Sequence, residues 1–262
     1  MNYHRIVSAV KYFLFARHRK GHGIHSPFVF DIINTVLRKK IPPEVREIIF
    51  KLRKEMGNSE EIVKINDLGA GSVYNPCCHR RLSDIALRSS VNNRYGKVLY
   101  NLARLYDGKD ILELGTSIGV STLFLALGAP ASKIISIEGS EVLAGIAADN
   151  FARYNVQNIN LKTGEFTRNL QDLRKAGFKA SLIFVDGDHR KEPLLRNFDI
   201  LKKILKSGSV MIFDDINYSS DMNKAWHEIK KDSGVSVSID IFQMGIVFFR
   251  RGMVKQDFKI RY

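Results

Sequence analysis

The sequence predicts an α/β fold with a seven-stranded, mostly parallel sheet that follows an N-terminal helical extension. From about residue 109 onward, short apolar runs alternate with helical patterns, which is typical of parallel strands connected by helices. The runs are almost continuously apolar, as strands covered on both faces are. The last two runs are separated by a short connection and indicate a hairpin, so one strand near the C-terminus is expected to be antiparallel.

The predicted strands and helices follow one another in a regular order as far as residue 250. Each of the first five strands ends shortly before a helical pattern, as expected for right-handed crossovers between parallel strands. These strands are predicted at 110–114, 133–137, 159–163, 182–185 and 210–213. The helices are predicted at 120–127, 140–154, 167–176, 193–205 and 221–231, and the final hairpin pairs 235–241 with 245–250.

The first 92 residues show helical patterns without this alternation. They are interpreted as a helical cap or extension, 1–92, attached to a sheet domain, 93–262. Two of the patterns open with proline, which a helix tolerates in its first turn. The patterns cover 3–17, 27–39, 43–56 and 82–90, and a further helix at 95–106 leads into the first strand.

The composition is that of an ordinary globular protein with a large positive charge. The 262 residues are 45% hydrophobic and carry a formal net charge of +14. No apolar run approaches the roughly 20 residues of a membrane span, and the N-terminus lacks a secretory pattern. The two cysteines, Cys77 and Cys78, are adjacent and indicate a reducing compartment, so a cytoplasmic location is expected. The charge favours polyanions or anionic small molecules as partners, or else a surface kept soluble by lysines.

A glycine-containing loop follows the first predicted strand. In ILELGTSIGVST, residues 111–122, Gly115 and Gly119 allow a ligand to approach the backbone, and a helix begins near Ser121. The N-terminus of such a helix presents N–H groups to a carboxylate or phosphate. The spacing, with Ser117 between the glycines, differs from the Gly-x-Gly-x-x-Gly of dinucleotide enzymes and argues against an NAD-dependent dehydrogenase. A second glycine-rich stretch, Asp67–Ser72, lacks the following helix and strand and is not expected to hold the cofactor.

Acidic residues end three successive predicted strands. Glu113 ends the first strand, and Glu138 ends the second. An acid at the end of the second strand is placed to accept hydrogen bonds from ribose hydroxyls, because open α/β sheets bind ligands at the carboxyl ends of their strands. The third strand is followed by Gly164 and Glu165, which could face a base, although Glu165 is equally well explained as an acid at a helix N-terminus.

Four aspartates and a histidine follow the fourth and fifth predicted strands. They are expected to converge at one edge of the sheet, where carboxylates at that density repel unless a cation or a proton lies between them. Oxygen ligands of this kind suit Mg²⁺, Mn²⁺ or Ca²⁺. The alternative is that the aspartates cap turns, and the histidine is suited to proton transfer near neutrality. The residues are Asp186, Asp188, His189, Asp214 and Asp215.

The order of these motifs resembles that of class I S-adenosylmethionine-dependent methyltransferases. ELGTSIG before a helix is followed by IEG, TGE, VDGDH and FDD, and Tyr95-Gly96-Lys97 leads a helix into the first strand. Within that superfamily the chain is most similar to the metal-dependent catechol and caffeoyl-CoA type O-methyltransferases. The resemblance covers roughly residues 93–250 and implies a Rossmann-like methyltransferase fold with S-adenosyl-L-methionine as cofactor.

The resemblance also implies a role for each candidate residue. A divalent cation, Mg²⁺ or else Mn²⁺ or Ca²⁺, would be ligated by Asp186, Asp214 and Asp215. The catalytic residues would be Asp186 and His189, which stands where the catechol enzymes carry a basic lysine. The cofactor would contact Glu113, Gly115, Ser117, Gly119, Ser121, Glu138, Gly164, Glu165 and Asp186.

The implied reaction is the in-line transfer of a methyl group to the hydroxyl of a small molecule, which mainly requires alignment of the reacting atoms. A cation at the hydroxyl would lower its pKa, and His189 would accept its proton. Removing Asp186 should abolish turnover, whereas Glu138→Ala should mainly weaken cofactor binding. The acceptor molecule and the oligomeric state stay open.

Two alternatives give the basic N-terminal region a role. As an RNA methyltransferase, the protein would track phosphates with Arg17–His25 and stack bases on nearby aromatic residues. As a peripheral membrane protein, it would lay an N-terminal helical face on anionic lipid, although packing of that helix on its own domain explains the pattern too. That face comprises Ile6, Val7, Val10, Phe13 and Leu14.

Overall fold

The computed structural model describes residues 3–16, 23–65 and 79–262, and these divide into two compact units. One unit comprises residues up to 38 together with 170–262, and the other comprises 39–169. Three stretches named above, Asp67–Ser72, Cys77 with Cys78, and residues 17–22 of the basic segment, lie outside the described residues. The boundary between residues 92 and 93 stays a prediction.

Ten α-helices and two π-helical segments are found among the described residues. The α-helices are α1 (Tyr3–Phe15), α2 (Pro27–Ile32), α3 (Pro43–Gly57), α4 (Leu82–Asp84), α5 (Asn93–Leu105), α6 (Val120–Gly128), α7 (Glu141–Arg153), α8 (Phe166–Lys175), α9 (Lys191–Lys203) and α10 (Ser220–Lys231). The π-helical segments, Ile33–Leu37 and Ile85–Ser89, continue α2 and α4 directly. Where the structure describes helices, none is long and apolar enough to cross a membrane.

Ten strands are described. They are β1 (Ile62–Lys64), β2 (His79–Arg81), β3 (Ile111–Leu114), β4 (Ile134–Glu138), β5 (Ile159–Thr163), β6 (Ala180–Val185), β7 (Leu205–Phe213), β8 (Val237–Asp240), β9 (Gly245–Phe248) and β10 (Gln256–Lys259). The predicted α/β fold with a mostly parallel sheet is confirmed. The strand count is one higher than the predicted seven in the sheet, because β10 was not predicted.

The unit of residues 39–169 contains three parallel strands in the order β3-β4-β5 and a small antiparallel hairpin of β1 and β2. Side chains satisfy free N–H groups where these helices begin. The Asn92 side chain accepts from the second and third residues of α5, and the Ser140 hydroxyl accepts from Leu143, the third residue of α7. Gly96 allows α5 to approach α6 closely, since a Cβ there would lie 2.1 Å from the ring of Phe124. The register pairs Glu113 with Ser136 and so places both side chains beneath the loop that follows β3.

The other unit contains five strands in the order β10-β8-β9-β7-β6. Strand β6 pairs parallel with β7, and β8 pairs parallel with β10. Strand β9 is antiparallel to both β7 and β8, which confirms the predicted C-terminal hairpin with one antiparallel strand. Because Val185 pairs with Phe213, the residues that follow β6 and β7 emerge at the same edge of this unit.

Candidate functional site

The loop between β3 and α6, residues 115–119, is called the cofactor loop below. Three of its residues have left-handed backbones: Gly115 at φ +97°, Ser117 at +51° and Gly119 at +90°. A Cβ at Gly119 would lie 2.5 Å from the Phe151 ring, so only glycine fits this turn without displacing α7. Ser117 adopts a left-handed backbone although it is not glycine. Such conformations are uncommon and are concentrated at functional sites.

Side chains from the following strand and helix hold the cofactor loop in place. The Ser117 N–H donates to Glu138 Oε2 at 2.7 Å, and the Ser140 N–H donates to Glu138 Oε1 at 2.9 Å. The Asn150 amide donates to the carbonyl of Ile118 at 2.9 Å. Sequence reasoning placed Glu138 at the end of its strand but missed Asn150. The available signal was a polar residue at a buried position of an otherwise apolar helix face.

The N-terminus of α6 opens directly from the cofactor loop. Its N-cap residue is Gly119, and no side chain in the described part of the chain caps it. The N–H groups of its first turn therefore point out of the helix without intrahelical partners, next to the buried Ser121 hydroxyl. Such a terminus favours a carboxylate or a phosphate.

Glu113 lies fully buried behind the cofactor loop. Its Oε2 accepts hydrogen bonds from Thr122 at 2.5 Å and Ser136 at 2.6 Å, whereas Oε1 has no partner among the described residues. Burial raises the pKa of Glu113 to about 7, against the lowering effect of the neighbouring hydroxyls. The Thr116 hydroxyl extends the network through a 2.5 Å contact with Ser136.

Glu113→Gln is expected to flatten the dependence of stability on pH. Because the folded-state pKa is about 7 and the ordinary value is 4.5, the folded state binds more protons than the unfolded chain between those values. Stability from this group is therefore fully present below about pH 4.5 and falls by about 3 kcal/mol as the pH rises through 7. Urea unfolding at pH 5 and pH 8 measures the difference. If the free energy of unfolding of Glu113→Gln fell between pH 5 and pH 8 by as much as that of the wild type, this explanation of Glu113 would be wrong.

The end of β5 carries two further predicted cofactor contacts, Gly164 and Glu165. Gly164 has φ +107°, and its N–H donates to the Glu138 carbonyl at 2.9 Å. Glu165 is exposed and stands directly before α8, as both of its sequence interpretations require. The Asn169 amide donates to the carbonyls of Thr163 and Glu165 and fixes this corner. Glu138 thus joins Ser117 and Gly164 through hydrogen bonds, and Glu113 forms a second hydrogen-bonded group with Thr122 and Ser136.

The residues after β6 and β7 are called the acidic cluster below: Asp186, Asp188, His189, Asp214 and Asp215. His189 Nε2 lies 3.9 Å from Asp186 Oδ1, and the imidazole contacts the Tyr218 ring at 5.8 Å between centroids. Asp188 has φ +55°, and its two carboxylate oxygens accept from the Arg190 guanidinium at 2.6 and 2.9 Å. Asp188 is therefore used in a local ion pair, and His189 with Asp186 forms the pair suited to proton transfer.

Asp214 is buried at the end of β7. Its Oδ1 accepts from the Asp215 N–H at 2.9 Å, and its Oδ2 accepts from the Gln243 amide at 3.3 Å. Burial, followed by the negative charge of Asp215, raises the pKa of Asp214 well above its ordinary value. Gln243 belongs to the connection between β8 and β9, and no sequence pattern pointed to it.

The acidic cluster does not fit the predicted cation site. Within residues 3–16, 23–65 and 79–262, no three His, Cys, Asp or Glu side chains are grouped so that they could hold one metal ion. Both oxygens of Asp214 already accept hydrogen bonds, one from the Asp215 N–H and the other from the Gln243 amide. The set Asp186, Asp214 and Asp215 is therefore not assembled as a ligand sphere, and no chemical step is derived from it.

Comparison with known proteins places the cofactor loop in a recognised domain. Residues 112–216 match the family model of a methyltransferase domain. A catechol O-methyltransferase of Niastella koreensis is 31% identical over 130 residues, which cover 48% of this chain and 58% of that protein. A catechol O-methyltransferase of Mycobacterium tuberculosis is 30% identical over 131 residues, covering 49% and 58%. The chain thus spans somewhat over half the length of these curated relatives.

A solved structure extends the likeness in fold. An O-methyltransferase from Bacillus cereus in complex with SAH superposes with a TM-score of 0.56 at 22% identity, covering 84% of this chain and 97% of that one. The predicted resemblance to class I methyltransferases is therefore confirmed. These relatives are O-methyltransferases, so they give no support to the RNA alternative.

Proposed function

We propose that this protein uses S-adenosylmethionine to methylate a hydroxyl group of a small molecule. The observation that carries the proposal is the cofactor loop, where left-handed residues, a hydrogen bond to the Glu138 carboxylate and the uncapped N-terminus of α6 occur together. Catechol O-methyltransferases that match this region make an aromatic hydroxyl the first acceptor to test.

The residues around the cofactor loop fit the parts of this donor. The Ser121 hydroxyl and the first-turn N–H groups of α6 would hold the methionine carboxylate. Glu138 accepts a backbone hydrogen bond on each oxygen, which fixes its carboxylate at the end of β4, where it would meet the ribose hydroxyls. Gly164 and Glu165 would border the adenine. Gly115, Ser117 and Gly119 would shape the methionine side, with Glu113 supporting them from behind.

In the proposed reaction, His189 of the acidic cluster removes the proton of the acceptor hydroxyl. Bound S-adenosylmethionine provides an electrophilic methyl group on its sulfonium. The His189 imidazole accepts the proton of the acceptor hydroxyl, so that the oxygen becomes the nucleophile. Asp186, 3.9 Å from that ring, stabilises the imidazolium that results. No step is assigned to a cation.

The proposal is tested with methyl-labelled S-adenosylmethionine and a panel of catechols, monophenols and total RNA. Label is expected in an ether of a small-molecule hydroxyl. Label in RNA alone, or in no acceptor although the donor binds, would contradict it. The assay is run in EDTA and with added Mg²⁺, since a rate that rises only with Mg²⁺ would restore Asp186, Asp214 and Asp215 as ligands.

A further inference from the structure

Helix α1 exposes its apolar side to solvent. Ile6, Val10, Phe13 and Leu14 recur at helical spacing and are 40%, 54%, 54% and 73% exposed. They form one stripe along the helix, called the outer face below. A helix that only covers its own domain packs its apolar stripe against that domain. In α1 the apolar stripe faces solvent instead.

The opposite side of α1 fastens the helix to the protein. Tyr12 is buried, its hydroxyl donates to the Ile260 carbonyl, and that hydroxyl accepts from the Tyr262 N–H at 3.0 Å. The Tyr12 ring also packs against Phe242 at 5.2 Å between centroids. One side of α1 therefore anchors the helix to the protein. Among the described residues the outer face stays largely exposed, with Arg261 beside the Phe13 ring.

The surroundings of the outer face are basic. Lys11 is exposed beside it, and the Arg261 guanidinium lies 5.3 Å from the Phe13 ring centroid. In the sequence, no acidic residue precedes Asp31, although five Lys or Arg residues do. Lys and Arg side chains at the edge of an apolar stripe can lie along it and keep their charged ends in the polar layer.

We propose that the outer face of α1 binds the surface of an anionic phospholipid bilayer. Apolar side chains of an interfacial helix enter the boundary between headgroups and acyl chains, and flanking cations meet the anionic headgroups. Charge complementarity favours this partner over a second copy of the chain. In a symmetric pair the same basic edges would face each other on two molecules that each carry +14.

Co-sedimentation with vesicles tests the proposal on the full-length protein. Vesicles of phosphatidylcholine mixed with phosphatidylglycerol are compared with vesicles of phosphatidylcholine alone. The protein is expected to bind the mixed vesicles and to be partly released by high salt, because salt screens the headgroup attraction. The double variant Val10→Gln, Leu14→Gln is expected to lower the partition coefficient by roughly tenfold or more, since two inserted apolar side chains are lost.

The matched control is Leu87→Gln, which changes a side chain that is 70% exposed in the unit of residues 39–169 and should bind like wild type. Circular dichroism and thermal unfolding check that the variants are folded. Lys11→Glu keeps the apolar stripe intact and is expected to weaken binding at low salt only. Wild-type binding by the double variant, or no binding by the native protein, would overturn the proposal. So would a lipid-independent dimer that the double variant abolishes, because the occupant would then be a second copy.

Discussion

Replacing Gly119 with alanine is expected to abolish measurable binding of S-adenosylmethionine. The residue has φ +90°, a conformation that alanine adopts only at a cost, and the new Cβ would lie 2.5 Å from Phe151 Cε1 and 2.9 Å from Cζ. Phe151 is buried, so its ring cannot withdraw without moving α7, which also carries Asn150. We expect a loss of about 2–4 kcal/mol in the free energy of unfolding. The affinity for the donor should fall by about 100-fold or more, measured by calorimetry on folded protein.

Gly145→Ala is the matched control for this change. Gly145 lies within α7 in the same unit, and a Cβ there meets no atom within 4 Å. Alanine in a helix interior should leave stability unchanged or raise it by up to about 1 kcal/mol, with donor affinity unchanged. Wild-type donor affinity in Gly119→Ala would mean that the cofactor loop is not where the donor binds.

Replacing His189 with alanine is expected to lower kcat by about 10²–10⁴-fold without changing donor affinity. The imidazole, whose Nε2 lies 3.9 Å from Asp186 Oδ1 and whose ring makes a tilted contact with Tyr218, is the group of the acidic cluster best placed to accept a proton. Asp188 is paired with Arg190, and Asp214 is buried with both oxygens bonded. These two carboxylates are therefore poorly suited to replace it. Single-turnover methyl transfer and calorimetric donor binding separate the two effects.

His227→Ala provides the control for the loss of an imidazole. His227 lies on α10, outside the acidic cluster, and its replacement should leave kcat unchanged. If His189→Ala turned over at the wild-type rate, His189 would not be the base, and the acceptor hydroxyl would lose its proton to another group.

Strands β3, β4 and β6 and the Val210–Phe213 part of β7 were predictable because they are mostly apolar and have acidic residues at or just after their ends. The first part of β7 was not predicted, because it is largely polar. Strand β10 was not predicted because its residues, Gln256–Lys259, alternate in exposure and are largely polar. The π-helical segments were predicted as ordinary helix. An apolar pattern does not distinguish hydrogen bonds to the fourth residue back from bonds to the fifth, such as that from Arg38 to Ile33.

The sequence predicted where the candidate site lies, but it did not predict which residues form hydrogen bonds with the site residues. Strand ends indicated where Glu138 and Asp186 lie, because ligands of open α/β sheets bind at the carboxyl ends of strands and each residue stands at or directly after the end of its own strand. Their partners come from distant segments: Asn150 reaches the loop from α7, and Gln243 reaches Asp214 from the final hairpin. No local pattern encodes such pairings. The ion pair of Asp188 with Arg190, two residues apart, was accessible to sequence reasoning and weakens the case for a carboxylate cluster around a cation.

Calorimetric titration of the protein with S-adenosylmethionine and, separately, with NAD⁺ tests the central claim most directly. The account predicts saturable binding of S-adenosylmethionine and none of NAD⁺, because Ser117 replaces a dinucleotide glycine and the loop is shaped around Glu138 and the N-terminus of α6. Repeating the titration with Glu138→Ala should weaken binding of the donor. Binding of NAD⁺ in preference to S-adenosylmethionine, or donor binding that is unaffected by Glu138→Ala and Gly119→Ala alike, would contradict it.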